Sequence, residues 1–150
     1  MVLYYDIASV FGRLLVIWEI KMSVDMNMNI LVVDDFKTMR RIVTGLLLQI
    51  GFRNIDEAVD GQSALAMIAE KQYHLIISDW NMEPVSGFEL LQKIRSAEGA
   101  IKTVPFIMVT AESKPENIIK AKQAGVNNYI VKPFNADTLK KKMTSVIGNF

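Results

Sequence analysis

The chain of 150 residues is long enough for one compact domain with a buried core and leaves little room for a second. Its formal net charge of +1 lacks the basic surplus of nucleic-acid-binding domains, so we expect no nucleic-acid partner. The absence of cysteine excludes disulfide bonds and thiolate metal sites, and it agrees with a cytoplasmic location.

Residues 1–21 differ from the rest because large apolar residues dominate them. Three charged residues interrupt the apolar runs, namely Asp6, Arg13 and Glu19. These interruptions argue against a membrane span and against a secretory signal. Met22 offers a second start, so we expect 1–21 to be a misassigned start or sequence added by cloning. The alternative is a docking helix, because apolar residues recur there at helical spacing.

From residue 29 onward, short apolar runs alternate with longer amphipathic stretches. The predicted strands cover residues 29–33, 54–59, 74–78, 105–109 and 128–131. The predicted helices cover residues 36–50, 61–71, 86–98, 113–124 and 135–147. Capping-box patterns at Ser86 with Glu89 and at Ser113 with Glu116 support the starts of the third and fourth helices.

Five successive strand–helix units predict an α/β fold, with a doubly wound parallel sheet and helices on both faces. We expect residues 22–150 to form this single domain, with no output domain after the fifth helix. In such sheets the reactive site lies beyond the carboxyl ends of the strands.

Polar residues follow or end four of the five predicted strands. They are Asp34 and Asp35 after the first strand, Asp79 after the third, Thr110 after the fourth and Lys132 after the fifth. Three carboxylates at one sheet edge repel one another unless a cation intervenes, and oxygen ligands of this kind suit Mg²⁺.

The same residue types match the needs of phosphoryl transfer. A carboxylate can attack phosphorus and form an aspartyl phosphate. Lys132 and Mg²⁺ would neutralise charge on the phosphoryl oxygens, and the hydroxyl of Thr110 would donate a hydrogen bond to one of them. Each residue taken alone also has an ordinary structural explanation, so the prediction depends on their combination.

Four motifs carry a family resemblance: ILVVDDFKTMRRIV, ISDWNM, MVTAE and AGVNNYIVKPF. With their spacing, they closely resemble the receiver domain of bacterial two-component response regulators, over about residues 28 to 149. Within that family the chain is similar to the chemotaxis regulators. The resemblance implies a flavodoxin-like (βα)5 receiver fold with strand order 2-1-3-4-5.

The resemblance also implies residue roles. Asp79 would be the phosphoacceptor, read by Thr110 and Lys132. Mg²⁺ would be bound by Asp34, Asp35, Asp79 and the main-chain carbonyl of Asn81, with Asp34 acting mainly through water. Tyr129 would be the switch aromatic, Trp80 a fluorescent reporter of metal and phosphate, and Asn81 and Glu112 residues that tune dephosphorylation. The Lys132–Pro133 peptide bond would be cis.

In function, the resemblance implies a monomeric signalling protein that modifies only itself and is not an enzyme acting on outside substrates. A histidine kinase would donate the phosphoryl group, and the surface of the fourth helix, fifth strand and fifth helix would then bind the flagellar motor switch protein. A phosphatase is a further possible partner, and no membrane partner is expected. The alternatives are a phosphate sink or shuttle that does not act on the motor and, more distantly, an aspartyl-phosphate phosphohydrolase.

The sequence departs from the best-known family pattern directly after the motif ISDWNM. Glu83 precedes Pro84, where a proline more often follows the methionine directly, and it adds a carboxylate near the site. We hypothesise that Glu83 changes metal affinity or the lifetime of the phosphoryl group. Pro115 lies early in the fourth helix, where it could alter the choice of partner.

Overall fold

The computed structural model describes residues 24–111 and 113–150. The strands are β1 (Asn29–Val33), β2 (Asn54–Ala58), β3 (Leu75–Asp79), β4 (Phe106–Thr110) and β5 (Asn128–Val131). The α-helices are α1 (Lys37–Ile50), α2 (Gly61–Glu70), α3 (Gly87–Ser96), α4 (Pro115–Gln123) and α5 (Ala136–Ile147), with a 3-10 turn at Ala100–Thr103 between α3 and β4. Strand and helix alternate throughout, as the sequence predicts.

The five strands form one parallel sheet in the order β2-β1-β3-β4-β5, which confirms the predicted fold. β3 and β4 are buried along their whole length because helices cover both faces of the sheet. Both strands lie one residue later than predicted and include Asp79 and Thr110, because these residues still pair in the ladder, Asp79 with Val109 and Thr110 with Val131.

Two apolar cores lie on opposite faces of the sheet, since successive strand residues point to opposite sides. In β1, Leu31 and Val33 enter the core shared with α2, α3 and α4, whereas Ile30 and Val32 enter the core shared with α1 and α5. The interior is therefore divided by the sheet, and the polar site residues stand at its edge.

Helix caps account for most of the helix boundaries. Ser86 caps α3 by accepting a hydrogen bond from the backbone N–H of Glu89, which confirms that predicted cap. The predicted cap at Ser113 is wrong: α4 begins at Pro115 with Lys114 as its N-cap residue, and no side chain caps it. A proline suits the first helical position because it has no N–H to satisfy there.

Two peptide bonds before proline are cis, Glu83–Pro84 and Lys132–Pro133. The second confirms the expectation from the family resemblance, whereas the first was not predicted. In the described part of the chain, no helix has both the length and the apolar character to span a membrane.

Candidate functional site

Three carboxylates meet at the carboxyl edge of the sheet. Asp34 follows β1 directly, Asp35 is next to it, and Asp79 ends β3. Each offers a carboxylate oxygen within 4.8 Å of those of the other two. Asp34 and Asp79 are 4% and 8% exposed, whereas Asp35 faces solvent. Two of the three charges are thus largely shielded from water, which strengthens their repulsion.

Lys132 is the cation of this cluster. Its ammonium group donates hydrogen bonds to Asp79 Oδ1 at 3.0 Å and to Asp34 Oδ2 at 3.3 Å. Its backbone N–H donates to the carbonyl of Thr110 at 2.8 Å, which joins the ends of β4 and β5. The structure therefore brings together Asp34, Asp79 and Lys132, which are far apart in the sequence.

Burial raises the pKa of Asp79 above the ordinary aspartate value. The hydrogen bond and positive charge of Lys132 act in the opposite direction, and the nearby charge of Asp34 raises the pKa further. The ionised carboxylate of Asp79 is consequently short of water and gains from any additional cation at the site.

The donor set fits Mg²⁺, which the fold family implies. Carboxylate oxygens are the ligands this cation prefers, and the cluster contains no nitrogen or sulfur ligand among the described residues. Asp34, Asp35 and Asp79 are the residues that would hold it.

A cleft of about 420 Å³ opens beside Asp35. It is lined by Asp35, Trp80, Asn81, Met82, Glu83 and Ser86. The loop that forms its wall is fixed by two backbone hydrogen bonds, Gly87 N–H to the Trp80 carbonyl at 2.9 Å and Gly61 N–H to the Val85 carbonyl at 3.2 Å. Asn81 and Glu83 therefore line the same cleft as Asp35, the exposed carboxylate of the acidic cluster.

An aromatic cluster continues from the site toward α4. The ring of Trp80 stacks on Phe88 with a centroid distance of 5.2 Å, and Tyr129 meets Trp80 edge-on at 6.4 Å. Lys120 of α4 lies 4.7 Å from the centroid of the Phe88 ring. Tyr129 is 8% exposed, so its ring lies inside the protein beside the residue that follows Asp79.

Two predicted site residues, Thr110 and Glu112, have not yet been placed, and one unpredicted residue contacts the site. Thr110 is fully buried at the end of β4, next along the sheet edge from Asp79. Glu112 lies outside the described residues. Arg40 is not among the predicted site residues, yet its guanidinium Nη1 donates to the main-chain carbonyl of Asp34 at 2.8 Å. The signal that could have found it is an arginine in the first turn of the helix that follows the acidic pair.

A family model for the response regulator receiver domain matches residues 30–144. Chemotaxis protein CheY-3 of Vibrio cholerae is 52% identical over 120 residues, which cover 80% of this chain and 92% of that protein. Chemotaxis protein CheY of Pseudomonas aeruginosa is 49% identical over 119 residues, covering 79% of this chain and 95% of that one.

Solved structures agree with these sequence matches. The chemotaxis protein CheY4 of Vibrio cholerae superposes with a TM-score of 0.74 at 35% identity, covering 80% of this chain and 98% of the other. The receiver domain of a Pseudomonas aeruginosa sensor histidine kinase gives a TM-score of 0.73 at 27% identity, covering 82% and 99%. That structure holds a magnesium ion coordinated in its active-site cleft.

Proposed function

This chain belongs to the family of response regulator receiver domains, as a CheY-like chemotaxis member, and we propose that it carries a phosphorylation signal to the flagellar motor. In this proposal a histidine kinase donates a phosphoryl group to Asp79 in the presence of Mg²⁺. The modified protein then binds the motor switch protein through the surface formed by α4, β5 and α5. It acts in the cytoplasm as a monomer and has no substrate other than itself.

The observation that carries the proposal is the pairing of Asp79 with Lys132 inside an acidic cluster. A carboxylate oxygen of Asp79 attacks phosphorus, a new O–P bond forms, and the N–P bond to the kinase histidine breaks, leaving the electron pair on the histidine nitrogen. Bound Mg²⁺ supplies charge neutralisation for the phosphoryl oxygens.

The side chains at the sheet edge then respond to the new group. Lys132 is already within hydrogen-bond distance of Asp79, so its ammonium group can pair with a phosphoryl oxygen after a small shift. The Thr110 hydroxyl donates to another oxygen, as the resemblance implies. Phosphorylation adds about −1.5 to −2 charges, which favours the arrangement that brings both donors closest.

The proposed output surface combines apolar and basic side chains. Ile119 of α4 is 55% exposed and Val131 of β5 is 41% exposed, so both side chains are accessible to a partner. Lys120 and Lys140 are exposed on the neighbouring helices. Such a surface suits an amphipathic partner segment with acidic residues. Pro115, at the start of α4, fixes the end of this surface and would influence which segment fits.

The test is a binding titration with the N-terminal peptide of a motor switch protein. Trp18→Phe in the full chain leaves Trp80 as the only indole. Beryllofluoride with Mg²⁺ stands in for the phosphoryl group on Asp79. We expect peptide affinity to rise at least tenfold on activation, and Asp79→Asn to abolish the rise. A Trp80 response without a change in peptide affinity would refute motor control and favour the phosphate-sink alternative.

Glu83 is proposed to adjust the site from its entrance, because it lines the same cleft as Asp35 and Asn81. Its carboxylate adds negative charge where the phosphoryl group would face water. We expect Glu83→Ala to change the dephosphorylation rate or the Mg²⁺ affinity about twofold to fivefold, with Glu89→Ala on α3 as the exposed acidic control. Equal values for Glu83→Ala and the parent would remove this role. Tuning of dephosphorylation by Asn81 and Glu112, and by a phosphatase, remains part of the proposal.

A further inference from the structure

Arg40 contacts the main chain of the acidic pair, whereas Lys132 contacts the Asp34 carboxylate. It belongs to the first turn of α1, and its side chain is 11% exposed. Its Nη1 donates to the main-chain carbonyl oxygen of Asp34 at 2.8 Å. A charged donor makes a stronger hydrogen bond to a carbonyl than a neutral one does. Arg40 therefore forms a charge-assisted hydrogen bond to the main chain at Asp34, next to Asp35.

The burial of Arg40 is not explained by its own hydrogen bonds. Its Nε is buried and has no hydrogen-bond partner among the described residues. The nearest acid, Glu57 of β2, has its Oε1 at 3.8 Å from Nε, which is an ion-pair distance but too long for a hydrogen bond. The Glu57 side chain is 41% exposed, so this pair is screened by water and weak. Burying a guanidinium with an unsatisfied N–H costs free energy, so another interaction must account for the buried position of Arg40.

The contacts of Asp34 supply that reason. Its backbone N–H donates to the Ala58 carbonyl at 3.2 Å, and its Oδ1 accepts from the backbone N–H of Phe36 at 2.8 Å. Its Oδ2 faces Lys132. The remaining polar atom is the carbonyl oxygen, and Arg40 holds it. Arg40 thus completes the set of contacts that fixes the main chain where three carboxylates repel one another.

We propose that Arg40 is a positioning residue of the acidic site. It fixes the main chain at Asp34, so that the carboxylates of Asp34 and Asp35 stay within reach of Asp79, and its charge offsets part of their repulsion. This inference rests on the proposed Mg²⁺-dependent phosphorylation of Asp79. Groups that hold metal ligands in place commonly change metal affinity by 10-fold to 100-fold when they are removed.

The competing explanation is purely structural, with the ion pair between Arg40 and Glu57 doing no more than tying α1 to β2. The two explanations differ in what they expect of Glu57→Gln. This substitution removes the ion pair and leaves the hydrogen bond from Arg40 to Asp34 in place. Under the structural explanation it acts like a loss of Arg40, whereas under the positioning explanation it leaves Mg²⁺ affinity unchanged.

The experiment compares Arg40→Met, Arg40→Lys and Glu57→Gln in the full chain carrying Trp18→Phe. Mg²⁺ is titrated against Trp80 fluorescence, and the midpoint of thermal unfolding, Tm, is measured in EDTA. We expect Arg40→Met to weaken Mg²⁺ binding about tenfold and Arg40→Lys about threefold, because lysine keeps the charge and a donor but not the planar fork. Glu57→Gln should stay within twofold of the parent.

Parent-like Mg²⁺ affinity in Arg40→Met would overturn the inference, as would an equal weakening in Glu57→Gln. If Arg40→Met does not fold, Arg40→Lys decides in its place: weaker Mg²⁺ binding at an unchanged Tm supports positioning, and parent-like affinity refutes it. A parent protein that shows no Mg²⁺ response, in fluorescence or in Tm, contradicts the proposed function itself. That outcome is distinct from a normal parent response with an unaffected Arg40 variant.

Discussion

The amino and carboxyl ends of the sheet differ in how their charged groups are paired. At the amino end, Arg95 donates three hydrogen bonds, to the Gly125 carbonyl at 3.0 Å, the Lys102 carbonyl at 3.0 Å and Asn127 Oδ1 at 2.9 Å. On the β2 side of the sheet, Asp56 accepts from Lys71 and from the Tyr73 hydroxyl, both at 2.7 Å, and these two residues precede β3. Charges there meet partners of opposite sign or neutral acceptors, and the polar groups are satisfied within the protein.

At the carboxyl end, like charges are gathered instead. Three carboxylates share a site with one ammonium group, and Asp79 is held in a buried position that raises its pKa. A larger cleft, of about 550 Å³, opens at the amino end beside Tyr73, yet it contains no such cluster. The fold thus pairs the charges at the amino end with partners inside the protein and gathers repelling carboxylates at the carboxyl end, where a bound cation can offset the repulsion.

The backbone at the carboxyl end of the sheet is tightly packed at Gly87, and there we expect a substitution to have the largest effect on stability. A Cβ at Gly87 would overlap the main-chain oxygen of Asp79, which cannot move without shifting β3. We expect Gly87→Ala to destabilise the protein by about 3 kcal/mol and to weaken Mg²⁺ binding as well. Urea unfolding and a Mg²⁺ titration measure the two effects.

Gly45→Ala is the matched control for that experiment. It lies within α1, and a Cβ there would meet no atom within 4 Å. Alanine favours a helix over glycine by about 0.5–1 kcal/mol, so this variant should be slightly more stable than the parent. Similar stability in the Gly87 and Gly45 variants would show that the carboxyl end tolerates backbone movement.

Arg95→Met isolates the amino end. It leaves the carbonyls of Gly125 and Lys102 without the Arg95 donor, whereas Asn127 Oδ1 keeps the backbone N–H of Phe106. We expect a loss of about 2 kcal/mol in the free energy of unfolding. Mg²⁺ affinity should not change, because the acidic cluster lies at the other end of the sheet. Lys93→Met, an exposed change on the same helix, is the control. A change in metal binding with Arg95→Met would contradict the separation of the two ends.

The sequence predicts the polar contacts at the carboxyl end of the sheet better than those at the amino end, for a physical reason. Parallel strands bring their carboxyl ends together, so acidic and basic residues after the strands indicate a shared site. Asp34, Asp79 and Lys132 follow that rule. No comparable rule predicts that Arg95 reaches the 3-10 turn and the turn before β5, since those contacts depend on how three loops pack.

Helix boundaries show the same limit on a smaller scale. Ser86 follows a local pattern and caps α3 as predicted. Asp60 caps α2 in a capping box with Ser63, a pairing that differs from the usual serine or threonine followed three residues later by glutamate. At α4 the predicted cap is one residue too early, because Pro115 fixes the first helical position. Arg40 lies in the first turn of the helix that follows the acidic pair, but its contact with the Asp34 carbonyl is visible only in the folded chain.

Asp79→Asn tests whether the buried negative charge at the carboxyl end of the sheet lowers the stability of the protein. Asparagine removes a buried negative charge while keeping nearly the same shape, and Lys132 retains Asp34 as a partner. We expect the variant to be about 1 kcal/mol more stable than the parent in EDTA, because the desolvation that raises the pKa of Asp79 disfavours its ionised form. Asp35→Asn, at the exposed carboxylate, should change stability less. A less stable Asp79→Asn protein would mean that the pairing with Lys132 outweighs desolvation.

The smallest effect that we expect is a loss of stability on acidification, and it concerns Asp56 at the amino end of the sheet. Hydrogen bonds from Lys71, and then from Tyr73, hold the pKa of Asp56 below the ordinary aspartate value. A depressed folded-state pKa gives stability that is present above the unfolded pKa and is lost as the pH falls through the folded value. The parent should therefore lose stability relative to Asp56→Asn as the pH falls below about 4, by roughly half a kcal/mol because the pair is partly exposed. Thermal unfolding of both proteins at pH 7 and pH 3 measures this difference. If the difference between the two proteins is the same at both pH values, the Asp56 contacts do not stabilise the ionised carboxylate, and the amino end owes its stability to Arg95 and to packing.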